Sequence, residues 1–325
     1  MSCLGSFFRY TAICFALTGA AFAQSGQKPS RDADRFVVAA DGTGDFTSVQ
    51  SAITHAREHR EQPVEILIKK GRYEEQVRIG RERPHIHLKG EDRDQCVIAF
   101  TSNDKLNPDW ARRAVLAIEA DDSVIENLTV QNTTPYQGSQ AEAVYVNADR
   151  CILRGSRFLS FQDTLNLSGR VYVTDCYVEG DVDYVWGYGA AVFERCELRT
   201  MHDGYLVQAR NSKDRTGYVF IDCKLTAAPE TTKFYLARIE SARFPFSQAC
   251  FIRCSMPPQV RPEAWQITGD LVDTLRFQEY GTTDLQGAAL DLSQRHGGKI
   301  LSTDEVAPFT PIKILGGKDG WTPAP

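Results

Sequence analysis

A short apolar pattern recurs along the middle of this 325-residue chain, and its spacing constrains the fold more than any other feature. Val173-Thr-Asp-Cys176-Tyr-Val178, Phe193-Glu-Arg-Cys196-Glu-Leu198, Phe220-Ile-Asp-Cys223-Lys-Leu225 and Phe251-Ile-Arg-Cys254-Ser-Met256 share one register. Each has an apolar residue, two spacers, a small residue of the kind usually buried, one spacer and a second apolar residue. Leu153-Arg-Gly-Ser156-Arg-Phe158 fits with Ser in the small position, and Ile125-Glu-Asn-Leu128-Thr-Val130 fits with Leu. From Leu128 to Cys254 that position advances by 28, 20, 20, 27 and 31 residues. Self-similar strands at such steps, without intervening helices, predict an all-β fold: a single-domain, right-handed parallel β-helix. Each coil then lays a strand on the one before at ~4.8 Å, and inward positions stack as ladders. An immunoglobulin-like sandwich is the alternative, but its strands return roughly every 8–12 residues through hairpins. One helix is expected at 49–60, where Val49, Ala52, Ile53 and Ala56 keep helical spacing. Strands are expected at 64–68, 85–88, 97–100 and 115–118.

The register has a covalent corollary. Cys176 and Cys196 fall at equivalent places in neighbouring coils, which brings their Cα atoms within disulfide range. Cys196 and Cys223 form a second stacked pair, and a ladder of reduced cysteines acting as small hydrophobes is the alternative. The compartment bears on this choice. Residues 1–23 read as a secretory signal with Arg9 as its only charge, an apolar run from Tyr10, and Ala21-Phe22-Ala23 before a cleavage point. The run is too short for a membrane span. Export, to the periplasm or beyond, permits disulfides. Removal of Cys3 and Cys14 leaves seven of the nine cysteines, an odd number, so at least one thiol is unpaired within the chain. Polar residues 24–34 read as a linker, and 35–325 as the folded domain. A net charge of −5 argues against nucleic acid as a partner and gives no basic membrane-binding patch.

The 20-residue step also separates Asp163 from Asp183. Asp163 lies seven residues after Ser156, and Asp183 seven after Cys176. Two carboxylates stacked on adjacent coils cannot both ionise easily, so one is pushed toward the protonated form. That division separates a proton donor from a nucleophile or base. Both acids sit among aromatic and apolar residues, in Phe161-Gln-Asp-Thr-Leu165 and Asp181-Val-Asp-Tyr-Val-Trp-Gly187. Stacked aspartates that merely cap turns are the alternative.

These segments resemble a known family. Phe161-Gln162-Asp163-Thr164-Leu165 is similar to the F/Y-Q-D-T-L signature of pectin methylesterases, and Gly180-Asp-Val-Asp183-Tyr-Val-Trp-Gly187 to their G-x-V-D-F-I-F-G signature. The resemblance runs along most of the chain. Asp41-Gly-Thr-Gly-Asp-Phe-Thr-Ser-Val-Gln50, Gly71-Arg-Tyr73-Glu-Glu75, Asn127-Leu-Thr-Val-Gln-Asn132-Thr133, Gln140-Ala-Glu-Ala-Val-Tyr-Val146, Gln208-Ala-Arg210 and Tyr235-Leu-Ala-Arg238 resemble further family segments in the same order. The resemblance implies a parallel β-helix that hydrolyses methyl esters of polygalacturonate, without metal or cofactor. It implies Asp183 as nucleophile and Asp163 as acid and then base. It further implies Gln140 and Gln162 as oxyanion donors, and Arg238 as the cation that orients Asp183. Phe161, Tyr184, Trp186 and Tyr235 are expected to line a sugar groove. The expected partner is methyl-esterified pectin, and the expected state is a monomer.

Three departures stand out. Ile239-Glu240 follows Arg238 where the family has Pro-Trp, Ala237 replaces a Gly, and Trp186 replaces a Phe. An acid at Glu240 repels a demethylated product and removes a stacking surface. The alternatives are therefore a divergent member cleaving another ester or thioester, or a non-catalytic pectin-binding β-helix. Polygalacturonases and pectate lyases share the fold. However, no Gly-His-Gly occurs, and Asp181 with Asp183 is too little for a calcium site.

Overall fold

The computed structural model describes residues 28–270 and 272–323; the expected leader at 1–23 and the first residues of the linker lie outside them. Strands here are short and alternate in burial: Val64–Ile68 and Ile86–Gly90 both bury every second residue. A strand so patterned has one apolar face, and coiling lets each face stack on the next. The strand pairings between coils are parallel, and they build an 11-stranded sheet and a 15-stranded sheet around one interior. The result is the right-handed parallel β-helix expected from the repeat.

One inward ladder shows the stacking. Ile66 pairs with Leu88, Leu88 with Ile125, Ile125 with Leu153, and Leu153 with Val173. It continues through Phe193, Phe220 and Phe251. The three phenyl rings stack at 4.7 and 4.6 Å between centroids. All are buried. The ladder ends on Glu279, a buried carboxylate paired with Arg295 at 2.8 Å.

The recurring small position marks a corner of the coil. Asn127, Asp175, Arg195, Asp222 and Arg253 each precede it and each adopt a left-handed backbone, φ 51 to 55°. Gly155 does the same at φ 57°. The left-handed residue turns the chain, and the next side chain points into a narrow interior corner, which suits Ser or Cys.

The disulfide expectation is overturned here. Cys96, Cys151, Cys176, Cys196, Cys223, Cys250 and Cys254 are free and buried. Stacking aligns the backbones of the four corner cysteines, but each of these thiols reaches a carbonyl of the preceding coil. Cys176 donates to Leu153 O at 3.4 Å, and Cys196, Cys223 and Cys254 to Val173, Phe193 and Phe220 O at 3.5 Å.

The helix is also shorter than its periodicity predicts. It spans Val49–His55, with Ser48 capping Ser51 N, and stops where Ala56 turns to ψ 142°. The next residues are claimed by other partners: Arg57 N donates to Arg31 O, and left-handed His59 donates to Glu82 O. The helix closes one end of the coil over Phe36 and Phe46. The short helix Pro311–Leu315 packs against the exterior midway along the coil, over Arg170–Thr174 and Ala190–Glu194, held by Arg170 through Leu315 O at 2.9 Å and Asp319 at 2.6 Å.

Candidate active site

The repeat places the two acids together. Gln162 bridges Val182 and Leu165 pairs with Val185, a constant offset of 20 that sets Asp163 beside Asp183 on the next coil. Asp163 N donates to Val182 O at 3.0 Å. Both aspartates are left-handed, at φ 66° and 50°. Left-handed aspartates are uncommon, and such strain gathers at functional positions. At 3% and 4% exposure, both carboxyls form a floor beneath the surface.

Their partners differ. Arg238 grips Asp183 with both arms, Nε to Oδ1 at 2.8 Å and Nη2 to Oδ2. No side chain among the described residues hydrogen-bonds Asp163. Burial pushes both carboxyls up, but Arg238 holds Asp183 back toward the ionised form. Asp163 has no arginine in direct contact among the described residues, only the more distant charges of Arg113, Arg210 and Arg238. Burial raises it well above the carboxylate range, and the charges of Glu142 and Asp183 push the same way. Arg210 faces both acids. The two stacked acids thus differ in their partners: Asp183 is gripped by Arg238, whereas Asp163 has no ion pair among the described residues.

The glutamines flank this pair. Gln140 and Gln162 lie on neighbouring coils, where Ala141 N donates to Gln162 O at 3.1 Å. Both are half-buried. Gln140 Oε1 accepts from Arg113 Nη1 at 3.5 Å. The Gln162 amide has no hydrogen-bond partner among the described residues.

The aromatic expectations divide. Phe161 is half-buried and meets Tyr136 and His202, each at 5.6 Å; those two rings stack at 3.6 Å. Tyr235 stacks on Tyr205 at 5.5 Å, and Arg238 lies 4.3 Å above Tyr205. Tyr184 is corrected: its ring is fully buried and its hydroxyl contacts Thr200 at 3.1 Å, so it belongs to the core. Trp186 is corrected in part. It is 3% exposed, lying under Arg210 at 4.7 Å and edge-on to Trp110 at 5.3 Å. Trp110, 39% exposed, offers the open face instead.

Sequence reasoning missed Trp110, Tyr136, His202 and Arg210 as neighbours of the site, and it missed the fully buried pair Arg113–Glu142. Glu142 stands where the family segment Q-A-V-A carries Val, so its signal was a charge in an apolar run. Among the described residues, no three His, Cys, Asp or Glu side chains are placed to hold a metal ion.

Comparison with known proteins agrees with this geometry. The family model described as Pectinesterase matches residues 35–318. The chain is 31% identical, over 94% of its length, to a probable pectinesterase/pectinesterase inhibitor of Arabidopsis thaliana; it spans 47% of that protein, about half. It is 30% identical over 72% of its length to pectinesterase 31 of the same plant, covering 77% of it. Its fold superposes on the pectin methylesterase from carrot with a TM-score of 0.80 at 26% identity, covering 87% of this chain and 93% of that one. The chain belongs to the pectinesterase family of carboxylic-ester hydrolases.

Proposed function

We propose that this chain is a pectin methylesterase that cleaves methyl esters of polygalacturonate. The observation that carries the reading is the asymmetry of the two stacked acids: Asp183 held by Arg238, and Asp163 unpaired. Asp183 attacks the ester carbonyl carbon, and the carbonyl π pair moves onto oxygen. Gln140 and Gln162 donate N–H bonds to that oxyanion. Collapse breaks the bond to methoxide, which leaves as methanol with the Asp163 proton. An anhydride now joins substrate to Asp183. Asp163, as carboxylate, takes a proton from water; the hydroxide attacks the anhydride, frees Asp183 and restores the acid. Phe161, Tyr235 and Trp110 form walls against which sugar faces pack.

The leader at 1–23 exports the chain with processing near Ala23, and 35–325 is the catalytic domain acting as a monomer. No helix among the described residues is long and apolar enough to cross a membrane. Ile239-Glu240 favours a second reading, in which the substrate is another ester or thioester. Methanol release from highly methylated pectin, set against aryl ester and thioester turnover, tests both. Chelator-insensitive release that disappears in Asp183→Ala supports the first reading. Thioester turnover with untouched pectin supports the second. Unsaturated products absorbing in the near ultraviolet overturn both.

A further inference from the structure

The buried pair Arg113–Glu142 has no part in the steps above, yet it contacts Gln140 and faces Asp163. Arg113 ends the helical turn Trp110–Arg113, and Glu142 follows Gln140 by two residues. Arg113 Nη2 donates to Glu142 Oε1 at 2.5 Å, Nε donates to the other oxygen, and Nη1 reaches Gln140 Oε1 at 3.5 Å. Both side chains are out of contact with water. An ion pair so placed gains little over apolar residues of the same volume. Stability alone therefore does not account for it.

We propose that Arg113 and Glu142 are positioning residues for this site: Arg113 fixes the Gln140 amide, and Glu142 sets a negative charge on the coil below Asp163. A guanidinium has donors only, so it admits only the carbonyl oxygen of Gln140. The amide N–H groups are thereby turned away from Arg113. Glu142 acts on Asp163 from one side as Asp183 does from the other. Three carboxyls thus occupy three successive coils, and the outer two carry their own arginines, Arg113 and Arg238. Among the described residues only the central acid has no arginine ion-paired to it, and of the charges facing it Glu142 pushes it up most. The charges facing Asp163 are Glu142 and Asp183, opposed by Arg113, Arg210 and Arg238. Asp104 faces the Arg113–Glu142 pair from beyond.

The kinetic consequence rests on the esterase reading; the electrostatic one does not. The test is a carboxyl-¹³C NMR titration of Asp163, assigned by its loss in Asp163→Asn, beside kcat and KM against pH on methylated pectin. Glu142→Gln keeps the shape and leaves the Arg113 cation unbalanced. The Asp163 titration and the alkaline limb of kcat are both expected to fall by about one pH unit. Arg113→Met with Glu142→Val removes the pair without an orphaned charge. It is expected to lower kcat about 10-fold with KM unchanged, as loss of an aligned oxyanion donor does. Arg113→Lys, a cation without the fork, is expected to lie between that variant and the parent. An unmoved Asp163 titration in folded Glu142→Gln overturns the proposal even if pectin is cleaved. A folded double variant with parental kcat overturns it as well. If the parent ignores pectin while the titration shifts as stated, the substrate reading fails and the electrostatic role stands.

Discussion

Along one corner of the coil, Asp175 and Asp222 pair with Arg195 and Arg253, and all four side chains are 44–53% exposed. Along the cleft, Asp163 and Asp183 are almost dry. All four aspartates share a left-handed backbone, φ 50 to 66°. Residue type and backbone are therefore alike in the two rows, although each corner acid stacks on an arginine and the cleft acids stack on each other. What also differs is water and the number of cations. At the corner each acid has its own arginine, and Arg195 holds Asp175 below the usual carboxylate range. In the cleft, burial reverses the direction, and the acid without a partner is raised furthest. Chemistry in this fold comes from where a stacked acid is desolvated, not from the presence of stacked acids.

The sharpest way to break that contrast is to remove one acid from each row. Asp183→Asn is expected to lower methanol release by about 10⁴-fold or more, as loss of a nucleophile does. Asp175→Asn is expected to leave kcat and KM unchanged. Comparable losses in the two variants would show that the cleft acids act only through the fold.

The corner row and the cleft row were not equally legible. The repeat steps gave the fold, and a 20-residue offset shared by the small positions and the acids placed Asp163 beside Asp183. Nearness to the acids misled at Tyr184 and Trp186. The strand Tyr177–Gly187 shifts register between Gly180 and Val185, and left-handed Asp183 interrupts the pleat, so the side chains flanking the acid turn inward. Residue types do not reveal such a shift. The cysteine register predicted which backbones stack, whereas a disulfide also depends on where each Sγ points, a rotamer choice made by nearby carbonyls. Arg113 and Glu142 are 29 residues apart and meet only because a helical turn folds back onto the next coil.

The cation rows make the next comparison. Arg113→Met leaves Glu142 charged, buried and unpaired, which is expected to cost about 3–5 kcal/mol in urea unfolding. Arg253→Ala leaves Asp222 in water, and its cost is expected within about 1 kcal/mol. Equal costs would mean that the interior admits enough water to screen Glu142.

A pH series distinguishes the rows by sign. Asp163 has a folded pKa above its unfolded value, so the stability it contributes is full in acid and is lost as pH rises through the folded pKa. Asp163→Asn, which does not titrate, is therefore expected to melt progressively higher than the parent as pH increases. Asp175 is depressed, so its contribution is present above the unfolded value and is lost as pH falls through the folded one. Asp175→Asn is expected to melt slightly lower than the parent at neutral pH and to converge with it in acid. Melting curves that move in the same direction for both variants would remove the distinction.

The smallest expected effect concerns the thiols behind the exposed row. Each donates to a carbonyl of the coil before it, so a disulfide between Cys176 and Cys196 would have to break two such bonds and turn both side chains. Burial pushes the Cys176 and Cys223 thiols up, whereas hydrogen bonds from both of them push the Cys196 thiol between them down, so it is where the thiols point that opposes a disulfide. Reductant is therefore expected to leave the melting temperature unchanged, and alkylation after denaturation without reductant to label all four corner cysteines. A melting temperature that drops in reductant, with two corner cysteines protected from alkylation, would show that the corner row is stitched covalently. The contrast with the cleft would then be one of cross-linking as well as of water.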